Sequence, residues 1–386
     1  MSNYLLSIVI PTRNRQLYCM RAVRQILSHG WEQVEICIQD NSDNNELERE
    51  MDSLGTAGIV YNHHPGVLSF VDNFSEAVSL AHGKYVCMIG DDDSVLPDLL
   101  PLLADMEAQQ ADAAIPALNF IYFWPSANPI LEGGEEGVLI AHLHDEKPVA
   151  PGRCVNSREA VKRLLRRGVQ DYTSLDMPRL YHGVVKRSML EKIKEVAGNY
   201  FGGLTPDMYM ATALSLVCNK VLRVQYSVTL SGICPTSGSS DSATGKHTGQ
   251  LGDAPHFRGH AHYQWEEQIP AFYSVDTIWA DTLFHALRDF GQDAQLRWFN
   301  RPLFTAVCVH RYPEFANLVL THARSHGCHP FAVRRAWLSY RLAGWVAKGN
   351  GRFKAFLSGK GTRRTNSVPD LMKAEQRVQA YKGGTV

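Results

Sequence analysis

The sequence predicts an α/β protein with a mostly parallel sheet, followed by a carboxy-terminal helical region. Up to about residue 125, short β-branched and aromatic runs alternate with amphipathic helical stretches, as in βαβ units. Three of the runs are followed at once by polar residues, the arrangement found where parallel strands end at a ligand site. Beyond about residue 257 the pattern is helical and rich in aromatic residues.

The individual elements follow from these patterns. The predicted strands of the first part are Leu6–Ile10, Val34–Ile38, Ile59–Tyr61 and Tyr85–Ile89. Residues 125–155 are rich in proline, glycine and acidic residues and predict an irregular insertion or a lid. Order is expected to resume with a helix near Ser157, a strand at Tyr181–Val185 and a helix at Ser188–Ala197. The segment Met208–Val217 is apolar nearly all round, which predicts a buried helix.

Composition excludes several classes of protein. The chain has 386 residues, 45% of them apolar, and a formal net charge of zero. No run approaches the roughly 20 apolar residues needed to cross a bilayer, so we expect a cytoplasmic or peripheral protein. The eight cysteines form no CxxC pair, which favours reduced core cysteines over disulfides or a zinc site. We expect no nucleic-acid partner.

Polar residues at three predicted strand ends should meet at one site, because the carboxyl ends of parallel strands lie at one edge of a sheet. The segments are Pro11 to Asn14, Asp40 to Ser42 and Gly90 to Asp93. Three consecutive carboxylates repel one another unless a cation is present, and oxygen ligands suit Mg²⁺ or Mn²⁺. Such an ion completes its shell with substrate phosphates, so a diphosphate-bearing substrate is expected. The alternative is an acidic turn that caps a helix near Pro97, with Ser94 as the cap.

Five segments together resemble family 2 glycosyltransferases: SIVIPTRNR, QDNSDN, FVDNFSEA, HGKYVCMIGDDD and TPDMYMA. The resemblance covers about residues 5–235 in the right order and spacing. It implies a GT-A type, Rossmann-like nucleotide-diphospho-sugar transferase fold, a nucleoside-diphosphate sugar as donor and inversion at the anomeric carbon. It also implies residues 1–235 as the catalytic domain, with a nucleotide-sugar-binding half at 1–125 and an acceptor half at 155–235.

Site residues follow from the same resemblance. Thr12 and Asn14 would lie near the nucleotide, and Asp40 would face the base, where a carboxylate can accept the imide N–H of uracil. The donor-binding candidates are Pro11, Thr12, Asn14, Asp40, Asn73, Asp91 and Asp92. The family's DXD-type motif maps onto the acidic run, so the metal-ligand candidates are Asp91, Asp92 and Asp93. His247 could reach the metal from the loop at residues 236–256, and the alternative is an idle histidine in a flexible linker. Asp40 is alternatively a turn residue after a strand.

Asp207 occupies the position where the family carries its general base. A carboxylate in the first turn of a buried helix could stay ionised yet dry while it deprotonates an acceptor hydroxyl. Alternatively Thr205 caps this helix, Pro206 begins it and Asp207 complements the helix dipole. His182 would face the acceptor or lie satisfied in the core.

Residues 236–256 are dense in Gly, Ser and Thr, and predict a flexible active-site loop that could close over the diphosphate. The expected function is transfer of a single sugar, most simply from a UDP-sugar, to a hydroxyl of a glycan or lipid-linked glycan, as in surface polysaccharide synthesis. A nucleotidyltransferase that makes NDP-sugars is a rival, but it would need a glycine-rich loop after the first strand. A second alternative is a non-catalytic nucleotide-sugar-binding module.

The carboxy-terminal part of the predicted helical region 257–386 is strongly basic. From Cys328 to Val386, twelve Lys and Arg residues stand against Asp370 and Glu375, a net charge of +10. Basic residues interleaved with aromatic ones suit an anionic membrane surface, which would place the protein at the inner face of a membrane. The alternative is a basic helix that packs on the catalytic domain or forms a dimer contact.

Overall fold

The computed structural model describes residues 4–54, 57–125, 137–143, 149–236, 248–253, 255–259, 263–342 and 361–383. The strands are β1 Leu6–Thr12, β2 Val34–Asp40, β3 Ile59–His63, β4 Tyr85–Met88, β5 Ser94–Val95, β6 Ala113–Ile115, β7 Phe120–Phe123, β8 Gly137–His142, β9 Arg153–Val155, β10 Val184–Lys186, β11 Val221–Arg223, β12 Thr229–Ile233, β13 Thr248–Gly249, β14 Tyr273–Ser274 and β15 Thr362–Val368. The helices are α1 Gln16–Ser28, α2 Glu46–Asp52, α3 Phe70–Ser79, α4 Leu99–Gln109, α5 Ser157–Arg166, α6 Arg187–Ala197, α7 Pro206–Val217, α8 Val275–Asp289, α9 Arg301–Arg311, α10 Ala316–Ser325, α11 over residues 330–342, and α12 Leu371–Lys382.

The main sheet has eight strands in the order β3-β2-β1-β4-β10-β6-β11-β9. The first four are parallel to one another, as the alternating pattern predicts. The strand β10 runs antiparallel to both of its neighbours, β4 and β6. Strands β1 and β2 are buried along their whole lengths because helices cover both faces of the sheet.

Two layers of helices cover this sheet. One face packs on α1, α2 and α4, with a core that includes Ile8, Val23 and Leu102. The other face packs on α3, α6 and α7, with a core that includes Val9, Val78 and Leu214. The architecture is the α/β layer arrangement that the sequence predicts.

Helix α7 connects the sheet to the helical region. Tyr209 and Met210 lie in the core beneath the sheet, whereas Met208 and Ala211 lie in a separate core shared with α5, α8 and α9. The helix is therefore apolar nearly all round because it is buried on both sides, which confirms the prediction of a buried helix here.

The insertion is more ordered than its composition predicts, since residues 137–142 form a strand. This strand, β8, belongs to a second sheet of five strands in the order β15-β8-β7-β12-β5. Its partner β15 comes from the basic tail and pairs with it antiparallel, and Lys382 of α12 binds Asp98 with a separation of 2.7 Å between Nζ and Oδ2. Residues 362–382 therefore pack on the α/β part of the chain. The prediction of a helical region was wrong for residues 362–368, which form a strand.

Two further observations bear on the sequence predictions. All eight cysteines are free, and seven of them are buried. Within the described ranges no helix combines the length and the apolar character needed to cross a membrane.

Candidate active site

The loops after β1, β2 and β4 meet at one edge of the main sheet. Thr12, at the end of β1, donates from Oγ1 to Asp91 Oδ2 over 2.6 Å. Asn73 of α3 donates from Nδ2 to the Thr12 carbonyl over 3.4 Å. Pro11 precedes Thr12 within the buried strand β1. The structure thus brings together two strand ends and one helix, as the strand-end argument predicts.

Asn14 joins the loop after β1 to the loop after β2. Its φ of 54° lies in the left-handed region, which asparagine tolerates better than most residues. The Asn14 backbone N–H donates to Ser42 Oγ over 2.7 Å, and its side chain exchanges hydrogen bonds with Asp43. The side chain of Asn14 is exposed at the mouth of the site.

Asp40 ends β2 and is fully buried. Its Oδ2 accepts a hydrogen bond from Tyr61 OH at 2.9 Å, and its Oδ1 accepts one from the backbone N–H of Ser42 at 2.8 Å. The latter contact is the turn geometry expected of an aspartate that follows a strand. A role of Asp40 in recognising the base of the nucleotide stays a prediction. To bind Asp40 Oδ2, that base would have to replace the hydrogen bond from Tyr61.

The three carboxylates of the acidic run are all buried, but their partners differ. Asp93 is enclosed by donors: Oδ2 accepts from the Gly90 N–H at 2.6 Å and from Tyr181 OH at 2.8 Å, and Oδ1 accepts from the Gly232 N–H at 2.7 Å. His182 Nε2 lies a further 3.3 Å from Oδ2. These contacts tie the end of β4 to β12 and to the segment before β10, and a role of Asp93 as a third metal ligand stays a prediction.

His182 belongs to this enclosure. It is buried with a φ of 57°, and its Nδ1 lies 2.9 Å from Thr229 Oγ1. Burial lowers the pKa of His182, with an opposing contribution from Asp93. The structure therefore places His182 in the core beside the acidic run, which was one of the two alternatives.

Asp91 and Asp92 each keep one side-chain oxygen without a hydrogen bond from the described residues. Asp91 Oδ1 is buried and unpartnered. Asp92 uses only Oδ2, which accepts from the Cys234 N–H at 3.0 Å. Burial raises the pKa of Asp91, and burial together with the charges of Asp93 and Asp91 raises the pKa of Asp92 to about 7. Two buried carboxylates with unfilled oxygens thus lie side by side.

Arg15 supplies the positive charge that the acidic run needs. Its Nε lies 3.1 Å from Asp91 Oδ2, and its Nη1 lies 3.8 Å from Asp92 Oδ2 and 3.6 Å from Cys234 Sγ. Burial lowers the pKa of Arg15, but the two carboxylates outweigh this effect and the net pKa is raised. Sequence reasoning missed this residue. The signal was the need for a counter-charge, together with the position of Arg15 directly after the first strand end.

The carboxylate oxygens of the acidic run fit the ligand needs of a divalent cation in part. Mg²⁺ in proteins takes one or two carboxylates and fills its other positions with water and substrate phosphate. Asp91 Oδ1 and Asp92 Oδ1 are the oxygens that could serve, whereas Asp93 is used internally. The described residues contain no group of three or more His, Cys, Asp or Glu side chains arranged to hold a metal. His247 lies outside the described residues.

Asp207 lies in the first turn of α7, after Pro206 at the helix start. Its Oδ2 accepts a hydrogen bond from Tyr172 OH at 3.0 Å, and burial raises its pKa. Thr205 makes no side-chain capping bond. Instead, the N–H groups of Leu204 and Thr205 donate to Thr282 of α8, so the helical region positions this turn.

Tyr181 connects Asp207 to the acidic run. It lines a small cavity together with Asp207, Tyr172 and Arg179, and its hydroxyl donates to Asp93. The candidate base and the acidic run therefore lie on two sides of one half-buried tyrosine, at the carboxyl edge of the sheet.

Comparison with known proteins defines the class. Residues 7–123 match the family described as Glycosyl transferase family 2. The match covers less than half of the chain, and it confirms the resemblance and the GT-A type fold class. We refer to residues 7–123 as the family 2 domain. The matched segment contains β1 to β4 and the acidic run.

Particular relatives can then be named. The chain is 28% identical over 137 residues to the putative colanic acid biosynthesis glycosyl transferase WcaA of Escherichia coli, covering 33% of this chain and 49% of the relative. It is 33% identical over 113 residues to the abequosyltransferase RfbV of Salmonella typhimurium, covering 28% of this chain and 34% of the relative. The match therefore spans half or less of each curated relative. Among solved structures, TarS 1-349 of S. aureus in complex with UDP-GlcNAc superposes with a TM-score of 0.49 at 13% identity, covering 88% of this chain and 92% of that one.

The different environments of Asp92 and Asp93 lead to a stability prediction. We expect Asp93→Asn to lower the free energy of unfolding by about 3 kcal/mol, because an amide group leaves buried donors without an acceptor. Asp92→Asn should change it by less than about 1 kcal/mol, since one oxygen can still accept from the Cys234 N–H. Urea denaturation in the presence of EDTA measures both values. Equal losses in the two variants would contradict the assignment of Asp93 as the internal tie.

Proposed function

We propose that this protein is an inverting glycosyltransferase that moves one sugar from a nucleoside-diphosphate sugar, most simply a UDP-sugar, to a hydroxyl of a glycan or lipid-linked glycan in surface polysaccharide synthesis. The observation that carries the proposal is the position of Asp207 and the acidic run on either side of Tyr181. The family 2 domain and two relatives named as sugar transferases support it.

In this proposal the donor lies across the strand ends of the family 2 domain. Thr12, Asn14 and Asn73 line the pocket for the nucleotide. Asp40 accepts a hydrogen bond from the base of the nucleotide once its own hydrogen bond from Tyr61 is broken. Asp91 and Asp92 hold Mn²⁺ or Mg²⁺, which when bound would offset the negative charge of the diphosphate. Arg15 adds a fixed positive charge on the same side.

Asp207 is proposed as the base that takes the proton from the acceptor hydroxyl. Its position in the first turn of α7 favours the ionised form through the helix dipole, whereas burial disfavours it. The hydrogen bond from Tyr172 fixes the carboxylate, so that Oδ1 can point to the incoming hydroxyl. A carboxylate whose pKa is raised is a stronger base than one exposed to water.

The metal proposal is tested by chelation. EDTA should abolish sugar transfer, and Mn²⁺ should restore it. In the Asp91→Asn/Asp92→Asn double variant, UDP with Mn²⁺ should no longer raise the melting temperature, whereas the same addition should raise it in the unmodified protein. Full activity in EDTA would refute the metal requirement and leave Arg15 as the principal cation.

The base proposal is tested by Asp207→Asn. Turnover should fall at least about a hundredfold, because a base acts in the transition state, and donor affinity measured by calorimetry should stay the same. The raised pKa of Asp207 also sets a pH dependence: activity is present above that pKa and falls as the pH drops through it. The acidic limb of the kcat/KM profile should therefore lie above pH 4, the usual aspartate value being about 3.9. Loss of donor binding in the variant would instead make Asp207 a donor-site residue.

We also propose that the helical region attaches to the anionic face of a membrane through α11. Residues 315–369 contain ten Lys and Arg residues and no Asp or Glu. Phe331, Leu338 and Leu342 are 68%, 48% and 64% exposed, and their spacing places them on one stripe of α11. Arg334 and Arg335 are exposed on either side of that stripe. An apolar ridge between cations matches an interface of acyl chains and anionic headgroups.

Vesicle co-sedimentation tests this surface. The protein should bind vesicles that contain anionic lipid, bind less at high salt and fail to bind neutral vesicles. Arg334→Gln/Arg335→Gln should weaken binding by about 2 kcal/mol, since each cation contributes about 1 kcal/mol. Arg377→Gln is the matched control, because Arg377 is exposed on α12, which packs on the α/β part of the chain. Equal binding to neutral vesicles, or equal loss in the control, would reject the proposal.

A further inference from the structure

Arg179 is the one lysine or arginine that is buried among the described residues, with 7% of its surface exposed. Its Nη2 donates to the Pro116 carbonyl over 3.1 Å. Its Nε is buried and has no hydrogen-bond partner in the described part of the chain. No carboxylate there forms an ion pair with it, so a guanidinium charge is buried with a single neutral acceptor.

Other arginines in this protein form ion pairs with carboxylates. Arg311 binds both oxygens of Asp276, at 2.8 and 3.0 Å, and Arg223 lies 2.7 Å from Asp176. Both are more exposed than Arg179 and yet have carboxylate partners. Burying a charge without a partner is costly, and a guanidinium does not lose its proton in proteins. Burial lowers the pKa of Arg179, as expected for a cation in this position.

The location of Arg179 relates it to the proposed site. It lines the same cavity as Asp207, Tyr172 and Tyr181. Tyr172, which lines this cavity with Arg179, donates its hydroxyl proton to a hydrogen bond with Asp207. Arg179 therefore lies on the base side of the site. The acidic run has Arg15 as its ion-pair partner and does not need Arg179.

We propose that Arg179 binds the carboxylate of a hexuronic acid, carried by the donor sugar or by the acceptor sugar next to Asp207. This inference rests on the proposed function and names the substrate class of that site. The free Nε and the neighbouring Nη atoms offer parallel N–H groups, the geometry that suits a carboxylate. A sugar carboxylate would supply the counter-charge that the described residues lack. The diphosphate is not the group in question, because it is assigned to the side of Asp91, Asp92 and Arg15.

Binding measurements on the full chain test the proposal and separate the two sources of the carboxylate. For the donor, UDP-glucuronate is compared with UDP-glucose. For the acceptor, methyl glucuronide is compared with methyl glucoside, with and without saturating UDP. The variants are Arg179→Met, which removes the charge at similar length, and Arg179→Lys, which keeps it. The control is Arg163→Met, the same change at an exposed position of α5.

In at least one of the two comparisons, donor or acceptor, the affinity for the compound with the carboxylate should be about tenfold higher or more, equivalent to about 1.4 kcal/mol. Arg179→Met should abolish this preference, Arg179→Lys should retain part of it, and Arg163→Met should not change it. The melting temperature of Arg179→Met should equal or exceed that of the unmodified protein, since an unpaired buried charge is removed. A merely structural arginine would lower it.

The proposal is overturned if neither pair is discriminated, or if Arg179→Met keeps the preference. Should Arg179→Met fail to fold, the decision rests on Arg179→Lys, in which loss of the planar fork should weaken the preference. Binding of UDP alone is measured in every variant. If the unmodified protein did not bind UDP, that result would count against the proposed function. The binding of methyl glucuronide in the absence of UDP would still test the role of Arg179.

Discussion

The burial of three adjacent carboxylates is the constraint on which the active-site region depends. Each would be costly alone in the interior, and together they repel one another. The protein meets this cost with one cation, Arg15, and with the Thr12 hydroxyl. Backbone N–H groups in β12, directly after β12 and just before the acidic run also donate to these carboxylates. Because these donors come from separate elements, the acidic run also fixes β1, β4, β10 and β12 relative to one another.

The helical region is part of the same construction. Helix α7 is shared between the core under the sheet and the core of α5, α8 and α9. Thr282 of α8 binds the two N–H groups before α7, and Asp276 of the same helix holds Arg311 and Tyr312. The carboxylate of Asp207 is thus positioned by residues outside the family 2 domain.

The fold was largely predictable from the sequence, because strand and helix patterns in residues 6–89 are strongly periodic and the polar residues at strand ends mark one edge. The convergence of Thr12, Asn14 and Asp91 followed from that argument. The individual roles of Asp91, Asp92 and Asp93 did not, because three identical neighbours are distinguished only by tertiary partners such as Gly232 and Tyr181. Arg179 was unpredictable for a similar reason: that none of the described carboxylates pairs with it is a property of the folded state. The strand β8 was missed because its short apolar run, GVLIAH, stands between residues rich in proline, glycine and acidic groups.

The pairing of β15 with β8 joins residues more than 200 positions apart in the sequence. Pairing at such separation is slow to form, since a long loop must close before any contact is gained. Until residues 362–382 are available, β8 presents an unpaired strand edge, a known site of intermolecular pairing. In the folded protein the outer edge belongs to β15 instead, whose sequence TRRTNSV includes Arg363 and Arg364. Charged residues on an edge strand discourage further strand addition, so the same segment that completes the second sheet also protects it from aggregation.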